Sequence, residues 1–184
     1  MFEALLKLLA RELDRARIPY MVIGGQAVQL YGEPRMTRDI DLTLGLGSEG
    51  LDRVVEVCGR CGLKPLPATP AEFVRETMVL PALDERTGIR VDFIFSVTEY
   101  ERQAIGRSRS VELDGVSVRF ATVEDVVIHK LLAGRPRDLE DARGVVTKNS
   151  GLDRGYVERW LRAFDHTLDR DVSSTFRRLA ESQS

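Results

Sequence analysis

The stretch Asp39-Ile40-Asp41-Leu42-Thr43-Leu44 alternates an oxygen-bearing side chain with an aliphatic one at every step. A period of two is that of a β-strand. It puts Asp39, Asp41 and Thr43 on one face and Ile40, Leu42 and Leu44 on the other, where they have a core to fill. Aspartate is depleted in strands, and two carboxylates on one face repel each other. Hard divalent cations such as Mg²⁺ or Mn²⁺ want oxygen ligands and relieve that repulsion. Taken alone, a solvated edge strand carrying ordinary surface acids explains these six residues as well as a metal site does.

Outward from this strand the pattern is legible in both directions. Phe2 to Arg17 carries Leu5, Leu6, Leu9 and Leu13 at helical spacing, an amphipathic helix. Tyr20 to Ile23 is a short apolar run stopped by Gly24-Gly25, a buried strand entering a turn, and Gln26 to Tyr31 reads as a short helix closed by Gly32. Downstream, a Gly/Ser turn leads into a helix from about Leu51, and Pro65, Pro67 and Pro70 mark a loop. Thr77 to Leu83 and Ile89 to Phe95 read as strands joined through Asp84-Glu85-Arg86-Thr87-Gly88. Tyr100 to Arg107 reads as a short helix, and Asp114-Gly115 between two apolar runs is a hairpin signal. After Phe120 the pattern is helical, with breaks at Pro136 and Gly151. The expectation is an α+β chain: a mixed sheet flanked by helices over residues 1–120, then a small helical C-terminal part over 121–184.

Further candidates follow from chemistry. Asp92 is the sole charge in Val91-Asp92-Phe93-Ile94-Phe95, and a lone carboxylate there must be paired or bound to metal. Its partner is either a cation shared with Asp39 and Asp41 or an arginine such as Arg90 or Arg119. Three such carboxylates would make a site for two metal ions, of the kind that clamps both oxygens in a phosphoryl transfer. The Gly24-Gly25 backbone can approach a phosphate closely, and helix N-terminal amides favour anions, although such a turn also serves as a plain connection. Lys130 follows the apolar stripe Val123, Val126, Val127 and can either snorkel or neutralise phosphate charge. Asp138 and Asp141 suit the first turn of a helix opened by Pro136. Arg35 and Arg38 flank the acid pair and either contact phosphates or balance the acids. His129 and Trp160 read as packing or helix-surface residues.

The 184 residues carry a net charge of -2, against a protein that grips nucleic acid through its whole surface. A polynucleotide would be held by a local patch or by its end. Cys58-Gly-Arg-Cys61 closes a helical stretch rather than opening one, so two reduced thiols are expected, not a redox pair or zinc site. No apolar run spans a bilayer and nothing resembles a signal peptide, so a soluble, cytoplasmic protein with no membrane partner is expected.

Ile23-Gly24-Gly25, thirteen intervening residues, then Asp39-Ile40-Asp41-Leu42 resembles the signature of the DNA polymerase beta-type nucleotidyltransferase superfamily. Asp92 matches its third acid. Gly24-Gly25-Gln26-Ala27 with Arg35-Met36-Thr37-Arg38-Asp39-Ile40-Asp41 is most similar to the AbiEii-type abortive-infection and toxin nucleotidyltransferases. Their later helical lysine and Arg-Asp-x-x-Asp segment match Lys130 and Arg137-Asp138-Leu139-Glu140-Asp141. The resemblance covers roughly residues 20 to 145. It implies an enzyme moving a nucleoside monophosphate from a nucleoside triphosphate to an acceptor hydroxyl. Asp39, Asp41 and Asp92 would hold two Mg²⁺ or Mn²⁺ ions. Gly24, Gly25, Arg35, Thr37, Arg38 and Lys130 would hold the nucleotide, and Asp138 would orient the acceptor or contact Lys130. It also implies an RNA acceptor, such as a tRNA end, and a toxin role opposed by an antitoxin protein. Two alternatives share the signature: an enzyme modifying an aminoglycoside or lincosamide, and a non-catalytic antitoxin or binding module.

Overall fold

The computed structural model describes residues 1–34, 36–96 and 98–181. In chain order its elements are α1 Phe2–Arg15, β1 Tyr20–Ile23, α2 Gly24–Tyr31, β2 Asp39–Leu44, α3 Leu51–Cys61, β3 Lys64–Pro65, α4 Pro70–Thr77, β4 Val79–Asp84, β5 Ile89–Phe95, α5 Glu99–Arg107, β6 Arg109–Leu113, β7 Val116–Phe120, α6 Val123–Ala133, α7 Pro136–Lys148, α8 Arg154–Leu168 and α9 Val172–Glu181. The strands form one mixed sheet in the order β3-β4-β5-β2-β1-β7-β6. Helices flank it, with α1 against β7 and α3, and α2 against β2 and α6. This is the expected mixed sheet with flanking helices, and the chain after β7 is helical.

Two registers place the chemistry. β1 runs antiparallel to β2 with Ile23 opposite Asp41, which brings the start of α2 beside the acid pair. β2 runs parallel to β5, with Asp39 opposite Arg90 and Asp41 opposite Asp92. Neighbours in register point to the same side of a sheet, so the three carboxylates share one face. The opposite face holds Ile40, Leu42, Leu44, Val91, Phe93 and Phe95, all buried. Each aliphatic half of the alternation is thus driven into the core, and that burial fixes the register by which the acids face outward.

The hairpin at Asp114-Gly115 forms as expected: both residues have positive φ, 46° and 76°. Such a turn matches the right-handed twist of its strands. Three local readings are corrected. Pro70 opens α4 instead of lying in a loop, because a first helical turn needs no N–H from it. That helix ends on Met78 in the left-handed region, φ 58°, so β4 starts at Val79 and not Thr77. α2 begins at Gly24, two residues ahead of the expected Gln26, so the diglycine is its first turn. Among the described residues, no helix is long and apolar enough to cross a membrane.

Candidate active site

Asp39, Asp41 and Asp92 line one cleft of about 690 Å³ together with Gly25, Met36, Thr37, Arg38, Lys130, Arg135, Arg137 and Asp138. Each outer carboxylate has a donor of its own. The Thr37 hydroxyl donates to Asp39 Oδ1 at 2.8 Å, and the Arg90 Nε donates to Asp92 Oδ1 at 2.8 Å. Of the two arginines that the sequence offers Asp92, the structure selects Arg90; Arg119 donates instead to the Ser108 hydroxyl at 2.9 Å. Asp41 lies between them. Burial, then the charges of Asp39 and Asp92, push its carboxyl up to about 6, against the opposing pull of Lys130 and Arg90.

Among the described residues, no three acidic, His or Cys groups are gathered closely enough to enclose an ion. Mutual repulsion explains the spread: Asp39 and Asp92 turn to Thr37 and Arg90, and Asp41 keeps the electrostatic cost. Divalent cations would remove that cost, and three carboxylates suit Mg²⁺ or Mn²⁺. The residues fit the metals that the sequence implies.

Gly24 makes room for this arrangement. It has φ +64°, and a Cβ built there would collide with the Asp41 Oδ2 oxygen and come within 2.8 Å of the carboxyl carbon. Gly24→Ala is expected to cost roughly 1–2 kcal/mol for the left-handed conformation alone and to push Asp41 aside. Calorimetric melting should show a fall in Tm of roughly 5 °C, and stabilisation by added Mg²⁺ should disappear. A variant that keeps the wild-type response to Mg²⁺ would show that the close approach is unnecessary.

The second part of the site comes from α6 and α7. Thr122 caps α6: its hydroxyl donates to Asp125 Oδ2 at 2.7 Å and accepts from the Asp125 amide. Val126, Val127, Ile128 and Leu131 are buried, so α6 is apolar over most of its circumference and Lys130 has little water to reach. Lys130 is 6% exposed. Its ammonium donates to Asp138 Oδ1 at 2.7 Å and lies 2.9 Å from Asp141 Oδ2. Neither snorkelling nor a free phosphate ligand describes it; it is the centre of a buried ion triad, facing the cleft. The contact with Asp138 is one of the two roles that the resemblance implies for that residue. Gly134, with φ +66°, ends α6 and lets α7 double back to deliver both aspartates.

The structure therefore brings together Gly25, Thr37, Arg38, Asp39, Asp41, Asp92, Lys130 and Asp138, with Gly24 packed behind Asp41. Arg35 lies outside the described residues. Arg90, Arg135 and Arg137 enter the site without having been singled out as site residues. The period-2 pattern places Arg90 on the face of Asp92, but α7's approach to the cleft depends on tertiary packing. His129 belongs to packing: burial pushes its imidazole down to about 4, and its ring lies 5.7 Å from that of Tyr100. Cys58 and Cys61 are free, buried thiols pushed up to about 12 by burial, as inert as their place at a helix end predicts.

Comparison with solved structures gives the same architecture. The antibiotic-resistance factor ANT(2'')-Ia in complex with adenylyl-2''-tobramycin superposes with a TM-score of 0.59 at 18% identity, over 90% of this chain and 98% of that one. An antigenic nucleotidyltransferase-like protein from Paracoccidioides brasiliensis gives 0.53 at 16% identity, over 78% of this chain and 74% of that one. JHP933 from Helicobacter pylori gives 0.50 at 15% identity, over 97% and 87%. No curated protein matches the sequence significantly. The mixed sheet with its flanking helices is thus shared in outline with these solved structures. Residues 1–163 match the family described as "Nucleotidyltransferase of unknown function (DUF6036)", and the chain belongs to that nucleotidyltransferase family.

Proposed function

We propose that the chain transfers a nucleoside monophosphate from a nucleoside triphosphate to a hydroxyl at an RNA end, such as that of a tRNA. The observation that carries the choice of acceptor is the charge of the cleft wall. Arg38, Arg135 and Arg137 line the cleft, are exposed, and make no ion pair among the described residues; Arg137 reaches only the Met36 carbonyl, at 3.5 Å. Uncompensated arginines beside a triphosphate site favour a polyanion and repel a polycationic aminoglycoside. A local patch of this kind also reconciles nucleic-acid binding with a net charge of -2.

In the reaction, the acceptor oxygen bonds to the α-phosphorus as the bond from that phosphorus to the bridging oxygen breaks, and pyrophosphate leaves. Asp92 takes the hydroxyl proton. Divalent cations held by Asp39, Asp41 and Asp92 would neutralise charge on the triphosphate and the leaving pyrophosphate. The amides of Gly24 and Gly25 at the start of α2 face the β- and γ-phosphates. Thr37 orients Asp39 through its hydrogen bond, Arg38 meets phosphate, and Lys130 supplies a fixed positive charge. Residues 1–120 carry the metal and nucleotide, and the helical part 121–184 contributes the acceptor-side arginines. The resemblance to AbiEii-type enzymes supports a toxin role opposed by an antitoxin protein.

The test incubates the protein with each α-labelled nucleoside triphosphate, Mg²⁺, and either total tRNA or a panel of aminoglycosides and lincosamides. Label on tRNA is expected. Label on a drug alone would replace the acceptor, and no transfer to any acceptor would leave a non-catalytic binding module.

A further inference from the structure

Beside the carboxylate cleft lies a second groove of about 520 Å³, lined by Phe2, Gln26, Gln29, Pro34, Met36 and Thr37. Met36 and Thr37 line both spaces, so the groove adjoins the cleft. We propose that this groove is a nucleobase subsite in which Gln26 reads the base edge and Met36 supports the ring. The inference rests on the nucleotidyl-transfer reading and extends it to what decides nucleotide or acceptor choice.

Gln26 carries the argument. It sits in the first turn of α2, next to the diglycine, and is only 9% exposed. Its side-chain amide makes no hydrogen bond among the described residues, while the side chain lines the groove. An amide largely withdrawn from bulk water and held by no partner among the described residues is free to pair with a polar edge that enters the groove. A carboxamide offers a donor and an acceptor side by side, the pairing that glutamine makes with the edge of a base such as adenine. The remaining wall suits a flat ring. Phe2 and Pro34 present apolar surface, and the Met36 thioether is adaptable and favours aromatic contact. Met36 is 83% exposed, a large apolar side chain held in solvent at the mouth of a reactive cleft. A plain hydrophobic peptide would leave the Gln26 amide unsatisfied; a nucleobase satisfies the amide and the apolar wall together.

The base can come from the donor triphosphate or from the terminal nucleotide of the acceptor, and the experiment separates these. The full chain with Mg²⁺ is titrated with non-hydrolysable analogues of the four nucleoside triphosphates, with inorganic tripolyphosphate, and with short RNAs ending in each base. Gln26→Leu keeps the side-chain volume and removes the amide. Met36→Ala removes the ring support at an exposed position and keeps the backbone carbonyl that Arg137 reaches. If the donor base is read, the preferred triphosphate binds roughly ten-fold more tightly than tripolyphosphate. Both variants then lose that margin while tripolyphosphate affinity stays the same. If the acceptor base is read, the triphosphates bind alike and the variants instead lose the preference among RNA ends. Unchanged base preferences in Met36→Ala and in folded Gln26→Leu would overturn the subsite. Failure of wild type to bind tripolyphosphate or any nucleotide would instead remove the nucleotidyl-transfer reading, and this inference with it.

Discussion

Asp41→Asn is expected to reduce nucleotidyl transfer by roughly a thousand-fold or more, and yet to make the metal-free protein more stable. Both effects have one cause. Asp41 is half-buried between Asp39 and Asp92, and desolvation together with those two charges holds its carboxyl up to about 6. Its ordinary value is 3.8. Ionising it in the fold above pH 6 therefore costs up to about 3 kcal/mol relative to the unfolded chain. Asparagine has the same shape and no charge to hold there. At pH 7.5 without metal, Asp41→Asn should melt roughly 5 °C above wild type.

The sign can be checked with pH. A raised carboxyl means that the fold binds the proton more tightly than the unfolded chain does. Wild type therefore gains stability from this group as pH falls from about 6 towards 4, and the gap to Asp41→Asn should close over that window. His129, held down to about 4, opposes this in wild-type melting curves, because burial then resists its protonation as pH falls below 6.5. The difference between the two proteins cancels the histidine, so it is the quantity to measure. Saturating Mg²⁺ should reverse the order at pH 7.5, since the cation stabilises only the protein with the full set of charges. A variant that stays inactive but shows no excess stability without metal would mean that Asp41 ionises without strain.

How much of this was legible in the sequence depended on range. β2 and β5 were readable because alternation is a local property, and their aliphatic halves had nowhere to go but the core. The hairpin at Asp114-Gly115 was readable for the same reason: two residues specify it. That Asp92 joins Asp39 and Asp41 was expected from the signature, but the register that sets Asp41 opposite Asp92 was not, because a parallel register across a long crossover is set by packing and not by either strand. α4 was hidden because proline marks both a loop and a first helical turn, and only the following residues' partners decide between them. Arg137 entered only as the first residue of the Arg-Asp-x-x-Asp match, and nothing local to the sequence marked Arg135. Their place on the cleft wall follows from α7 folding back at Gly134, which is a tertiary event. Lys130 shows the limit most clearly, since a lysine on an apolar helix edge normally reaches water and here meets two carboxylates brought back by the next helix.

That triad sets the largest expected effect on stability. Lys130, Asp138 and Asp141 are 6%, 8% and 9% exposed. Together they form one cation between two anions, with hydrogen-bonding distances of 2.7 and 2.9 Å. Among the described residues Lys130 is the cation that both carboxylates contact, and Lys130→Ala would remove it and leave a cavity beneath them. Breaking a buried ion pair from one side costs about 3–5 kcal/mol, because the charge left behind, Asp138 above all, loses a counter-charge that water does not replace. For a chain of this size the Tm should fall by roughly 10 °C. Asp138→Asn should cost much less, since Asp141 still faces the ammonium and an amide can hold the geometry. The combined replacement Lys130→Met, Asp138→Asn, Asp141→Asn should recover most of the lost stability, because the three charges of the triad are removed together. It should not recover activity. Lys130 also pulls the Asp41 carboxyl down across the cleft, so its loss makes that carboxylate still harder to ionise. Restored melting with absent transfer would separate the two roles of the lysine, tying α7 to α6 and supplying positive charge to the site. Restored transfer in the triple variant would reduce Lys130 to the first role alone.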